Sequence, residues 1–262
     1  MEIYWLEQTE SDVPADNQWL SPEEAICLLT MRFAKRRTDW RLGRWTAKHA
    51  LAACLHLPTD LHTLAKVEIY AASSGAPEAF IESRPAKLAI SLSHRSGKAL
   101  CTVGPRAANF GCDLEKSEPR SNAFIADYFT AAEQALIGHA SPQERPLLLA
   151  VLWSAKESAL KALRVGLRLD TRSVCVIPGA EWPHATEEWQ PGMAPSNSDV
   201  WHPLSVRYAG TQLFDGWWRT ENDLVRTVVC DFPLRPPRHA TSSTFSSEAE
   251  LNPNSRTSLV PL

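Results

Sequence analysis

The chain has no apolar run of about 18 residues, the length a membrane-spanning helix needs, so a transmembrane helix is not supported. Its first residues, Met1-Glu-Ile-Tyr-Trp-Leu-Glu7, are acidic and lack the basic and apolar regions of a signal peptide. The six cysteines are scattered with no CxxC pair, which argues against metal or redox use and for buried thiols in a reducing cytosol. A net charge of −3 offers no global field for nucleic acid, so any anion site must come from a local basic cluster. No short-period repeat is visible. What is present, 44% hydrophobic and 22% charged residues in 262, is the balance of one or two globular domains with a real core.

Pattern reading predicts a strand at 3–6, then a helix opening at Ser21 with Pro22 in its first position. A basic helical block follows over 31–51, in which Lys35, Arg36, Arg37, Arg41, Arg44 and Lys48 crowd together. Only Asp39 offers this block an internal counter-charge, so it reads either as a solvated face or as a seat for a ligand with several phosphates. Strands are predicted at 66–70, 87–94, 99–103 and 110–115, with a turn at Arg95-Ser-Gly97. Thr130-Ala-Ala-Glu133 is a capping-box pattern opening a helix at 131–139, which gives Glu133 a structural use. A helix from about 146 to 165 follows, with Gly166 as its C-cap, then strands near 173–177, 200–208, 212–218 and 224–230. The stretch 181–199 reads as a loop and 236–262 as a disordered tail.

Two stretches carry the chemistry. In Phe110-Gly-Cys-Asp-Leu-Glu115, strand periodicity puts Asp113 and Glu115 on one face and Cys112 and Leu114 on the other. Two adjacent carboxylates repel unless a proton or cation sits between them, so the pair is either a solvated edge or a seat for a hard cation such as Mg²⁺. In Trp153-Ser-Ala-Lys-Glu-Ser-Ala-Leu-Lys161, helical spacing lines up Trp153, Glu157 and Lys161. The plain reading of that helix is an amphipathic surface element with an intrahelical Glu–Lys pair.

Taken together, these two stretches, about forty residues apart, resemble the paired signature of 4′-phosphopantetheinyl transferases. The wider chain, over roughly 5–232, resembles their long, surfactin-synthetase type, through Ser-Leu-Ser-His94, Phe-Thr-Ala-Ala-Glu133 and the Leu-Gly-Arg44 block. The resemblance implies an α+β fold of two similar halves, 1–109 and 110–235, with the active site in the cleft between them. It implies transfer of 4′-phosphopantetheine from coenzyme A to a serine of an apo acyl or peptidyl carrier protein, with Mg²⁺, by a cytoplasmic monomer. By position, Asp113, Glu115 and Glu157 match the metal site, and Glu157 the group that activates the acceptor serine. Lys161 matches the diphosphate contact, with Lys156 beside it. Ser93 and His94 match contacts to the 3′-phosphoadenosine. Lys35 matches a coenzyme A-binding cation, with Arg36 and Arg44 weaker carry-overs. Phe124 and Ile125, read as exposed, are candidates for carrier docking.

The chain departs from the family pattern at Cys112, at Ala76 where a lysine is frequent, and at Arg95 after Ser-His. Two other readings stand beside the transferase: a non-catalytic homologue that binds coenzyme A or carrier protein, and a metal-dependent nuclease built on Asp113-Leu-Glu-Lys116. The nuclease is disfavoured because Glu115 and Lys116 are adjacent and point to opposite faces.

Overall fold

The computed structural model describes residues 2–179, 200–209 and 212–241. The expected loop at 181–199 and most of the expected tail lie outside the described residues. The architecture is mixed α+β, with helices packed on antiparallel sheets.

The first part runs β1 (Tyr4–Thr9), α1 (Pro22–Thr30), α2 (Ala34–Leu55), α3 (Leu61–Ala65), β2 (Val67–Ala71), β3 (Pro77–Ile81), β4 (Arg84–Pro85), β5 (Leu88–Arg95) and β6 (Lys98–Pro105). Helix α2 stops three residues before Pro58, on His56 in the left-handed conformation. β2, β3 and β4 form a small antiparallel sheet, in which β3 and β4 have no clear signal in the sequence. β5 and β6 make a hairpin through Ser96-Gly97, with φ 53° and 73°. A two-residue turn with both residues left-handed matches the twist of its flanking strands and fixes their register.

The second part runs β7 (Phe110–Lys116), α4 (Asn122–Tyr128), α5 (Ala131–His139), α6 (Arg145–Ala162), β8 (Val174–Pro178), β9 (His202–Tyr208), β10 (Gln212–Glu221) and β11 (Leu224–Cys230). The sheet order is β7-β11-β10-β9-β8, all neighbours antiparallel. Helix α6 lies across this sheet and buries Leu148, Leu152, Ala155 and Ala159 against Val174, Val206, Phe214 and Val229. It ends at Leu163, followed by Arg164 in the left-handed conformation; Gly166, also left-handed, begins a 3-10 turn. A last short strand, β12 (Arg238–His239), pairs in parallel with β1. The segment expected to be disordered from residue 236 therefore begins as ordered chain, with His239 stacked edge-on against Trp5. Between the sheets lies a further core of Ile3, Trp5, Leu100, Phe110, Cys112, Leu114 and Val228.

One buried arrangement occurs twice. Ser21 and Glu24 form a capping box at α1, and Thr130 and Glu133 form one at α5. In each, the second glutamate oxygen accepts a strand N–H: Ile69 N at 3.1 Å from Glu24 and Val176 N at 2.8 Å from Glu133. Each glutamate also pairs with a fully buried lysine of the long helix, Lys48 at 2.6 Å and Lys156 at 2.8 Å. Lys48 donates further to the carbonyls of Trp19 and Leu64, and Lys156 to those of Thr171 and Val174. Burial lowers the pKa of both lysines, against the pull of their glutamates. With every partner satisfied, each pair fixes a long helix to a capping box and a strand.

Candidate active site

The site forms where β5 runs beside β7. The two strands belong to different sheets, and serine side chains join them. Alternation puts Ser91 and Ser93 on the β7 side of β5, and Leu92 into the core of the first part. Ser91 Oγ accepts from Cys112 N at 3.0 Å, and Cys112 Sγ donates to Ser91 O. Ser93 Oγ donates to Asp113 Oδ1 at 2.7 Å. His94 falls on the opposite side, exposed, 3.8 Å from the Asp39 carboxylate of α2.

On the other flank, α6 approaches β7 at Gly111. A Cβ there would strike the carbonyl oxygen of Ser158 and stand 2.8 Å from Ala162 N, so only glycine lets strand and helix come this close. The approach brings Lys161 Nζ to 2.8 Å from Asp113 Oδ1 and 2.9 Å from Cys112 O. From residue 148 to 162, Trp153, Glu157 and Lys161 are the only residues of α6 not buried. The predicted stripe is thus real, but the helix is no surface element, and the intrahelical Glu157–Lys161 pair does not form within 4 Å. Lys161 turns to Asp113 instead, and Trp153 packs on Phe124, Tyr128 and Phe129.

Three carboxylates face one another across this junction. Asp113 and Glu115 are both buried rather than solvated. Glu115 Oε1 takes Lys116 N at 2.8 Å, Arg120 at 3.2 Å and Arg95 Nε at 3.3 Å. Glu157 makes no hydrogen bond or ion pair with any described residue, and its pKa rises to about 7. Burial contributes most to that rise, then the negative charge of Asp113 and, more weakly, of Glu115, with Lys161 opposing. For Lys161, burial is the largest single effect and would lower its pKa, but Asp113, Cys112 and Glu157 together outweigh it and raise it. As the side chains lie, no group of three or more His, Cys, Asp or Glu among the described residues is arranged to hold a metal. The donor chemistry nevertheless fits a hard cation. Asp113 Oδ2, Glu115 Oε2 and both Glu157 oxygens have no hydrogen-bond partner among the described residues, while a cation would relieve the repulsion that raises Glu157.

Residues 109–209 match the family model described as the 4′-phosphopantetheinyl transferase superfamily. The matched segment is similar to that superfamily. It holds Asp113, Glu115, Glu157 and Lys161. No curated protein matches the chain.

The structure sorts the remaining residues singled out from the sequence. Lys35, Arg36, Arg44, Ser93 and His94 line one cleft of about 510 Å³ between α2 and β5, with Phe33 and Trp40. Within the basic block the two readings divide. Arg37 binds Met31 O, Arg41 binds the carbonyls of Pro14, Ala15 and Asp16, and Lys48 is buried, so these three are structural. Lys35 is exposed and pairs with Asp39 at 2.8 Å. Arg44 stacks 4.5 Å from the Trp40 ring centroid, with its buried Nε unpartnered and its pKa lowered by burial. Lys156 is a correction: fully buried and committed to Glu133, Thr171 and Val174, it cannot touch a ligand. Ile125 is another, since it is 6% exposed and belongs to the core, while Phe124 packs on Trp153. Lys116 pairs with Asp223 at 3.3 Å at the surface. Sequence reasoning marked Arg95 only as a departure from the family pattern and did not single out Arg120; their pairing with Glu115 is what it missed. Among the described residues, no helix is long and apolar enough to cross a membrane.

Proposed function

We propose that this chain moves 4′-phosphopantetheine from coenzyme A to a serine hydroxyl of an apo acyl or peptidyl carrier protein, releasing 3′,5′-ADP. The observation that carries the reading is the continuity from the basic cleft to the carboxylates: Ser93 lines the cleft and hydrogen-bonds Asp113, which Lys161 joins to α6. A ligand with a phosphorylated end in the cleft would have its diphosphate beside Lys161 and Glu157.

In this reading Lys35, Arg36, Arg44 and His94 bind the 3′-phosphoadenosine end and orient the molecule, which is most of what phosphoryl transfer asks of a protein. Asp113, Glu115 and Glu157 would hold Mg²⁺ through their free oxygens, and the ion would supply positive charge to the diphosphate. Glu157 accepts the proton of the attacking serine. Lys161 neutralises charge that builds on the leaving phosphate. The duplicated glutamate–lysine lock supports an organisation in two similar halves, 1–109 and 110–235, with the site at their junction and one chain sufficient. That is the pattern of the long, surfactin-synthetase type.

The test is mass spectrometry of apo acyl and peptidyl carrier proteins incubated with the chain, coenzyme A and Mg²⁺. A mass gain of one phosphopantetheine, lost in Asp113→Ala, is the expected result. Binding of coenzyme A without any mass gain on a panel of carriers would sink the transferase in favour of a non-catalytic homologue.

A further inference from the structure

A second cavity, of about 330 Å³, shares Leu92 of β5 with the basic cleft. It lies among β5, Phe110 at the start of β7, the Ser74–Pro77 turn and the end of α6. Lys161 lines it, so it opens onto Asp113. Arg106 and Arg164 line it too, against a single acid, Glu78. Arg168 braces the wall by donating to Ser74 O at 2.9 Å.

Arg164 stands there at a conformational cost. Its φ is 57°, and its N–H donates to Lys161 O at 3.0 Å as it closes the end of α6. The left-handed residue after a helix is usually glycine, because an L side chain is strained in that region. Arg164 is exposed, so its side chain is open to a ligand. The guanidinium makes no hydrogen bond or ion pair with any described residue. Arg106 commits one N–H to Ala86 O at 3.2 Å, leaving the rest of its fork for a ligand. With Lys161 already paired to Asp113, the two arginines face one acid, Glu78, across the cavity, and an arginine fork is suited to phosphate oxygens.

We propose that Arg164 and Arg106 form a second phosphate seat, which with Lys161 grips the diphosphate of the substrate. The inference rests on coenzyme A being the substrate and adds residues to its binding. The diphosphate is the group assigned because Lys161 belongs both to this cavity and to the carboxylate junction.

The experiment is calorimetric titration of the full chain with coenzyme A and with 3′-dephospho-coenzyme A, for wild type, Arg164→Gly and Arg164→Lys. Glycine relieves the backbone, so the variant should melt at or above the wild-type temperature while binding both ligands at least five-fold more weakly, with lysine recovering part of the loss. Equal affinity of wild type and Arg164→Gly overturns the seat and leaves the transferase reading intact. A loss seen with coenzyme A but absent with the dephospho form overturns the diphosphate assignment, since the seat would then serve the 3′-phosphate. No binding of either ligand by wild type overturns both this inference and the reading beneath it.

Discussion

Replacing Glu157 with glutamine should stabilise the unliganded protein above neutral pH while disabling transfer. In the folded chain the Glu157 carboxyl titrates at about 7 instead of 4.5, chiefly because it is buried beside Asp113. The folded state therefore keeps a proton that the unfolded chain releases between these two values. Stability falls as pH rises through that window, and the penalty is complete above about pH 7 and absent below 4.5. A shift of roughly 2.5 units corresponds to about 3 kcal/mol, and the part-exposed position of the side chain reduces this to about 1–2 kcal/mol. For a chain of this size that is about 3–6 °C in melting temperature. Scanning calorimetry in EDTA at pH 5 and pH 8 measures it. The gap between variant and wild type should be small at pH 5 and open at pH 8. A glutamine variant that melts at or below wild type at pH 8 would refute the account of Glu157 as an uncompensated charge.

Other perturbations test separate parts of the molecule. Lys156→Met strands Glu133 in the core, at about 3–5 kcal/mol, and should lower the melting temperature by roughly 10 °C; adding Glu133→Gln should recover part of it, as a double-mutant cycle would show. Gly111→Ala drives a Cβ into the α6 backbone and should destabilise by about 1–3 kcal/mol or more; urea unfolding with an unchanged midpoint would contradict the close approach. Lys35→Ala with Arg36→Ala should raise KM for coenzyme A by about ten-fold or more with little change in kcat, because both residues lie in the cleft and away from the carboxylates. An unchanged KM would return them to a solvated face.

How much of this could be read from the chain differs by residue. The alternation that puts Asp113 and Glu115 opposite Cys112 and Leu114 survives intact, because a strand has one period and its apolar partners choose the core side. The stripe of Trp153, Glu157 and Lys161 survives for the same kind of reason. Depth is what local pattern leaves open. Lys156 sits beside Glu157 in sequence, yet one is sealed in the core and the other faces the site, and the difference is made by Glu133 on another helix. Lys48 looks like one more member of a basic block until Glu24 is brought to it. The charge balance of Glu115 was equally hidden, since Arg95 and Arg120 reach it from outside β7. Strand β12 has no apolar pattern to announce it and exists because β1 has an open edge. The helix end is hidden because a left-handed glycine is the usual stop, and here Arg164 takes that conformation two residues ahead of Gly166, which is left-handed too.

The two sealed lysines also give the molecule a pair of internal clocks. An amine-reactive reagent meets Lys35 at once, because its side chain is 83% exposed. Lys48 and Lys156, with none of their side-chain surface accessible, become reactive only when the structure around each has opened. Peptide-resolved labelling would therefore time the opening of the first part at Lys48 and of the second at Lys156, within one sample. Equal rates would mean that the parts open together, and unequal rates would identify the one that lets go first.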